Sequence, residues 1–200
     1  MNRLINRIGF LLRIKYYTQV TGSLRKTWFR IWGMSVGRKT TLPKIAVSWP
    51  HQVAIGNNCQ LENNIQFKFD GIWQKGPSIL IGNAVFIGTN CEFNIRKGIT
   101  IGDHANIASG CHFVDHDHGT SGYDLVGAQN GIEKKITIGV DVWLGCNVIV
   151  LKGVDIGSGA IVGAGAVVTK SIPRNEIWAG IPARRIGARV FKNDELPIGI

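Results

Sequence analysis

Between Ile138 and Val168 an apolar residue recurs at every sixth position: Ile138, Leu144, Val150, Ile156, Val162 and Val168. A second, smaller apolar set follows the first five of these by four residues: Val142, Val148, Val154, Ala160 and Ala166. This period is neither the 3.6 of a helix nor the 2.0 of a simple strand. Self-similarity at a fixed period governs the fold before local propensity does. A hexad with one large and one small inward residue suits a β-helix, in which each hexad is a short flat strand plus a corner. Three hexads then close one triangular coil. Gly139, Gly145, Gly157 and Gly163 follow four of the large residues, at a step where the backbone bends and a Cβ is unwelcome.

The repeat runs backwards through Ile101, Ile107 and Phe113, through Ile81, Ile87 and Phe93, and through Ile55, Leu61 and Phe67. It breaks after each third hexad, so every interruption leaves the prism at the same corner. The 15 hexads predict about five coils, with 68–80, 94–100 and 114–135 as inserts stacked along one edge. Function on repeat scaffolds collects where insertions line one face. Cys59, Cys91 and Cys111 fall on the small inward position and read as buried hydrophobes. No CxxC or other metal spacing is present.

Charge divides the chain. No Asp or Glu precedes Glu62, whereas ten basic residues do, and they account for the whole net charge of +10. Residues 2–18 also carry Leu4, Ile5, Ile8, Leu11 and Leu12 at helical spacing. A basic amphipathic helix points to a membrane surface or a phosphate-bearing acceptor; the plainer alternative is a cap that packs its apolar stripe on the first coil and solvates its charges. Residues 19–50 read as irregular material covering that coil. The expected organisation is therefore a basic cap segment (1–50), the repeat domain (51–187) with its inserted loop 114–135, and a tail (188–200) that starts as a short capping helix. No apolar run reaches the roughly 20 residues that span a bilayer. A cleavable leader is not evident either, so the expected location is cytoplasmic, with residues 1–30 as a peripheral membrane contact. Nucleic acid is not an expected partner, because the basic residues are not interleaved with a stacking platform.

The chemistry concentrates in His112 to Thr120, where three of the five histidines of the chain lie within seven residues. A neutral imidazole accepts a proton near pH 7, and a neighbouring carboxylate fixes its tautomer. The 112/116/118 spacing makes at best a local cluster, and no metal is expected.

The hexads, the Val142-Trp143-Leu144-Gly145 step, the Gly163-to-Lys170 segment and the Gly180-Ile181-Pro182-Ala183-Arg184 closing motif resemble the hexapeptide-repeat acyltransferases. The likeness covers about 55–185 and is greatest to the sugar O-acetyltransferases, especially those that decorate O-antigen and capsular polysaccharides. It implies an all-β, left-handed parallel β-helix, a homotrimer, and acetyl-CoA as acyl donor between subunits. The stretch from Ile101 to His118 matches without a gap the segment holding that family's catalytic histidine, which makes His118 the base rather than His116. The resemblance puts Cys146, Ala164, Thr169 and Lys170 along the pantetheine and adenosine-phosphate path, with Trp143 and Gly145 beside it. Lys170, Arg184 and Arg185 are reasonable partners for the phosphates. Asn90, Asn94, Asp115, His116 and Asp117 are the acceptor-side candidates. The chain departs from the galactoside-type pattern where that family places an acceptor-binding Asn and Asp: Gly88 and Arg96 stand there. The departure favours a larger saccharide acceptor, such as a lipid-linked one. Acetylation of an amino-sugar or antibiotic nitrogen is the alternative. A γ-carbonic anhydrase-like hydratase is remote, since His51 and His104 do not have the spacing its metal needs.

Overall fold

The computed structural model describes residues 3–10 and 17–190, and the chain there is a left-handed parallel β-helix preceded by two helices, α1 (Arg3–Phe10) and α2 (Tyr17–Ile31). Three sheets form the faces of a prism. Sheet 1 stacks Ser35–Val36, Val53–Ile55, Ile79–Ile81, Ile99–Ile101, Ile136–Ile138 and Asp155–Ile156. Sheet 2 stacks Gln60–Leu61, Phe86–Ile87, Asn106–Ile107, Trp143–Leu144 and Ile161–Val162, and ends in Glu176–Ala179 paired antiparallel with Arg184–Ala188. Sheet 3 stacks Ile45–Val47, Ile65–Phe69, Glu92–Ile95, His112–Val114, Ile149–Leu151 and Val167–Val168.

The expected inward residues line the core. Ile55, Leu61 and Phe67 of one coil lie in register with Ile81, Ile87 and Phe93 of the next. The three phenylalanines stack, with centroids 4.9 Å apart for Phe67–Phe93 and 4.7 Å for Phe93–Phe113. Cys59, Cys91 and Cys111 are buried as read, and Cys146 is exposed. A hydrogen bond with Cys91 and burial both push the Cys111 thiol above its ordinary range, which suits an inert packing role.

The corners work differently from the expectation. Left-handed backbone falls three residues after the first two large residues of each regular coil: at Asn58, Asn64, Asn90, Asp141 and Asn147 φ lies between 55 and 62°, and Ala84, His104, Gly110, Gly159 and Gly165 take the other such positions. Asn and Asp tolerate that region better than other side chains do. The glycines one step after the large residue serve close stacking instead. A Cβ on Gly139 would lie 2.5 Å from Ser158 N, and one on Gly145 would lie 2.6 Å from Ala164 N.

Two further readings are corrected. The prism begins at Ser35, not near 51, and a sixth coil runs through Val36, Leu42 and Val47. Its step from Leu42 to Val47 is five residues, so it drops out of a search for hexads. Residues 19–31 are not irregular but belong to α2. Its inward side carries Gly22, Arg25, Lys26 and Phe29, so no apolar inner stripe marks it. Only part of the expected helix over 2–18 is described, as α1, and Leu11 and Leu12 lie outside the described residues. So does nearly all of the tail 188–200, including its proposed helix.

The inserts 68–80, 94–100 and 114–135 all connect sheet 3 to sheet 1, and so share one edge as the repeat predicted. No helix among the described residues is long and apolar enough to cross a membrane.

Candidate active site

The loop that follows His112–Val114 leaves the prism at the edge between sheets 3 and 1. Its base is held by Asp115, whose carboxylate is fully buried. Asp115 accepts hydrogen bonds from the backbone N–H groups of Arg96 (2.8 Å), Lys97 (2.7 Å) and Gly98 (2.7 Å). It also lies 3.1 Å from His116 Nδ1. One buried acid thus ties the corner at 96–98 to the histidine segment and orients the His116 ring, whose side chain is 7 % exposed. The two strands of the loop pair through His116 and Glu133, and Lys134 N–H donates to Asp115 O at 2.8 Å. Gly131 sits against Asp117; a Cβ there would lie 1.5 Å from Asp117 O. Further out, Gln129 bonds to Ser121 and Asp124 and closes the tip on itself.

Asp117 Oδ1 accepts from Ile132 N–H at 2.8 Å, and its other oxygen pairs with the Lys152 ammonium of the next coil. The Lys152 hydrogen bond, with that N–H, holds the Asp117 carboxyl below its ordinary range. His118, one residue on, is exposed, and its side chain makes no hydrogen bond or ion pair within the described residues. The chain position of His118 is thus fixed by its neighbours while its ring stays open.

Beside this loop lies a polar cavity of about 380 Å³, lined by Phe69, Asp70, Gly71, Ile72, Gln74, Arg96 and Glu133. Arg96 Nη2 pairs with Asp70 at 3.1 Å. Arg96 Nε and Asn94 Oδ1 are buried and have no hydrogen-bond partner among the described residues. Asn94 belongs to the strand Glu92–Ile95, and Arg96 follows it at the corner and lines the cavity. Sequence reasoning identified Arg96 only as a departure from a family pattern and left the insert 68–80 unassigned.

The other predicted residues occupy a different edge. Gly145, Cys146 and Ala164 lie between sheets 2 and 3, as does Asn90, whose type is explained by its left-handed corner. Gly145 N–H is bonded to Val162 O at 2.8 Å and is therefore not a free donor. Thr169 and Lys170 share the edge of His118, two coils on, and both are exposed. Arg185 pairs with Glu176 at 2.9 Å, whereas the exposed Arg184 reaches only Ala183 O. Trp143 is half-exposed in a groove of about 440 Å³ on sheet 2, with Phe86, Asn106 and Ile161 in its column and an Asp141–Arg189 pair at 2.6 Å beside it. The column was visible in the sequence, since each of its members directly precedes a large inward residue. No three His, Cys, Asp or Glu side chains among the described residues converge as metal ligands.

One chain therefore holds its histidine loop on one edge and its Cys146–Ala164 ledge on another. An arrangement that joins the two needs a second copy.

Two family models match: "Bacterial transferase hexapeptide (six repeats)" over 135–170 and "Hexapeptide repeat of succinyl-transferase" over 78–112. Among curated relatives, WbbJ of Escherichia coli K12, named as a lipopolysaccharide-biosynthesis O-acetyltransferase, is 32 % identical over 64 % of this chain and 74 % of its own. The galactoside O-acetyltransferase of the same organism is 33 % identical over 66 % of this chain and 62 % of its own. The chain spans 53 % and 38 % of two other curated relatives, acetyltransferases named from Schizosaccharomyces pombe and Mycobacterium tuberculosis. Among solved structures, the N-acyltransferase AntD of Bacillus cereus, in complex with a dTDP-amino sugar and coenzyme A, superposes with a TM-score of 0.72 at 27 % identity, over 84 % of this chain and 91 % of that one. A hexapeptide-repeat acetyltransferase of Vibrio cholerae complexed with acetyl-CoA gives 0.60 at 28 %, over 83 % and 76 %. The repeat, the coil register and these matches agree: the chain belongs to the hexapeptide-repeat transferase family.

Proposed function

We propose that the protein is an acetyl-CoA-dependent O-acetyltransferase whose acceptor is a sugar hydroxyl of a surface-polysaccharide precursor. The observation that carries this reading is the open His118 ring on a loop anchored by Asp115, beside a polar cavity lined by Asp70, Gln74, Arg96 and Glu133. The carboxylates, amide and guanidinium around that cavity suit the hydroxyls of a saccharide. In this reading His118 takes the proton of the acceptor hydroxyl as its oxygen attacks the thioester carbonyl. The thiolate of coenzyme A leaves and takes up a proton. Cys146 N–H of a neighbouring copy faces the carbonyl oxygen as charge builds there. Asp115 and His116 position the loop without touching the reacting atoms. Holding both substrates in one cleft supplies much of the rate.

The family likeness, with candidate residues on two different edges, supports a homotrimer with the cleft between copies. Lys170 and Arg184 bind the phosphates of the donor, and Arg185 contributes less because Glu176 engages it. A lipid-linked acceptor places the enzyme on the cytoplasmic face of a membrane.

The AntD likeness favours one second reading, transfer to the nitrogen of a nucleotide-linked amino sugar. Thiol release from acetyl-CoA, measured with neutral saccharides and with amino sugars, separates the two. Turnover with saccharides that lack a free amine supports O-transfer. Turnover confined to free amines replaces it with N-transfer, and turnover with neither removes both.

A further inference from the structure

The face that α2 turns toward the protein is its basic one. Arg25 Nη1 donates to Leu42 O at 2.7 Å, Lys26 Nζ to Thr40 O at 3.2 Å and to Gly37 O, and Arg30 Nη2 to Val36 O. All four carbonyls belong to coil 1. In later coils the equivalent carbonyls accept from the coil before: Ile55 O from Gly37 N–H and Ile81 O from Gly56 N–H, at 2.9 and 2.8 Å. Coil 1 has no coil before it, so its exposed edge needs other donors, and cationic side chains supply them. Gly22 is buried and lets the helix approach Leu42; a Cβ there would lie 3.1 Å from Leu42 O.

The apolar side of α2 consequently faces outward. Val20, Leu24, Trp28, Ile31 and the adjoining Trp32 are each 58 to 73 % exposed. Scattered exposed apolar residues are ordinary, but five large ones along one helix face mark a contact surface. Ile5, Ile8 and Phe10 of α1 are exposed as well.

We propose that the outward face of α2 docks on an anionic phospholipid bilayer, with the helix lying in the interfacial plane. Charge complementarity selects this occupant. Beyond the three cations spent on coil 1, seven basic residues and no acidic ones precede Glu62. Each basic residue near an anionic surface adds about 1 kcal/mol of attraction. Two tryptophans on the apolar face suit the headgroup boundary, where amphipathic rings collect. The proposal does not depend on which acceptor is used or on the role of His118.

Flotation of the full chain with vesicles tests it, comparing phosphatidylcholine alone with phosphatidylcholine mixed with phosphatidylglycerol. Wild type is expected to float with the anionic vesicles, at least about tenfold more strongly than with the neutral ones, and to be released by high salt. The double variant Leu24→Ser, Ile31→Ser is expected to lose about tenfold or more of that binding. It should keep its oligomer size and its thiol release with a soluble acceptor. Equal flotation of wild type and variant, or none with anionic vesicles, overturns the proposal. A change of oligomer size without a change in flotation assigns the face to a second copy and also overturns it. If the variant does not fold, quenching of wild-type tryptophan fluorescence by brominated phosphatidylglycerol still decides the matter, and absence of quenching counts against docking.

Discussion

Asp115 was legible in the sequence only as an acid next to a histidine. Its position beyond the last residue of a coil did not reveal that it is buried, nor that it gathers three backbone N–H groups from a corner 17 to 19 residues earlier. A contact that crosses coils has no local signature. Replacing it by Asn keeps the volume but removes the charge and sets an amide donor against N–H groups. Asp115→Asn is expected to cost about 3 kcal/mol in urea unfolding, and to lower turnover by loosening the His118 loop. An unchanged unfolding midpoint would show that the corner does not depend on this acid. Gly131 makes a second prediction at this scale. Its Cβ would overlap the Asp117 carbonyl, a backbone group that cannot rotate away. Gly131→Ala should therefore open the base of the loop, costing about 1–3 kcal/mol, with a matching rise in proteolysis between 117 and 132. His118 was legible only as a candidate, through an ungapped motif match. The exposure of its ring and the paired state of Arg185 were not, since both depend on side-chain directions.

Whether an element was readable depended on whether its period survived. Coils 2 to 6 keep six-residue steps within each coil and were found. Coil 1 loses one residue at Leu42–Val47 and was missed. α2 was missed because sequence patterning assumes that the apolar stripe faces the core, and here carbonyls at an open sheet edge outrank it. The loop expected at 114–135 leaves the prism as an excursion after Val114, and its internal bonds emerged only in three dimensions. Its hold on the next coil is electrostatic and has a definite pH dependence. The Asp117 carboxyl titrates below its reference value of 3.8, because Lys152 and an N–H favour the charged form. A depressed acid contributes stability above its unfolded pKa and loses it as pH falls through the folded one. The difference in melting temperature between wild type and Lys152→Met should therefore be constant from neutral pH down to about 4 and close below that. A difference that persists unchanged at lower pH would show that Lys152 acts through packing rather than charge.

At the scale of the molecule, the prism places its candidate site residues on two edges that do not meet within one chain. The repeat made the shared edge of the three inserts predictable. It did not show that Gly145, Cys146 and Ala164 lie on a different one. Two inactive variants should therefore complement each other. Subunits carrying His118→Ala and subunits carrying Ala164→Trp, refolded together, should regain a fraction of wild-type activity through clefts with one intact half from each. No recovery in hybrids of confirmed mixed composition would place the whole site within one chain. The core claim of acyl transfer by a histidine base is tested most directly by acetyl-CoA binding in a calorimeter, paired with acceptor-dependent thiol release, for wild type and His118→Ala. The account predicts similar binding by both and a loss of turnover of about 10²- to 10⁴-fold in the variant, the range of general-base catalysis. Full turnover by the variant, or no binding of acetyl-CoA by wild type, would contradict it.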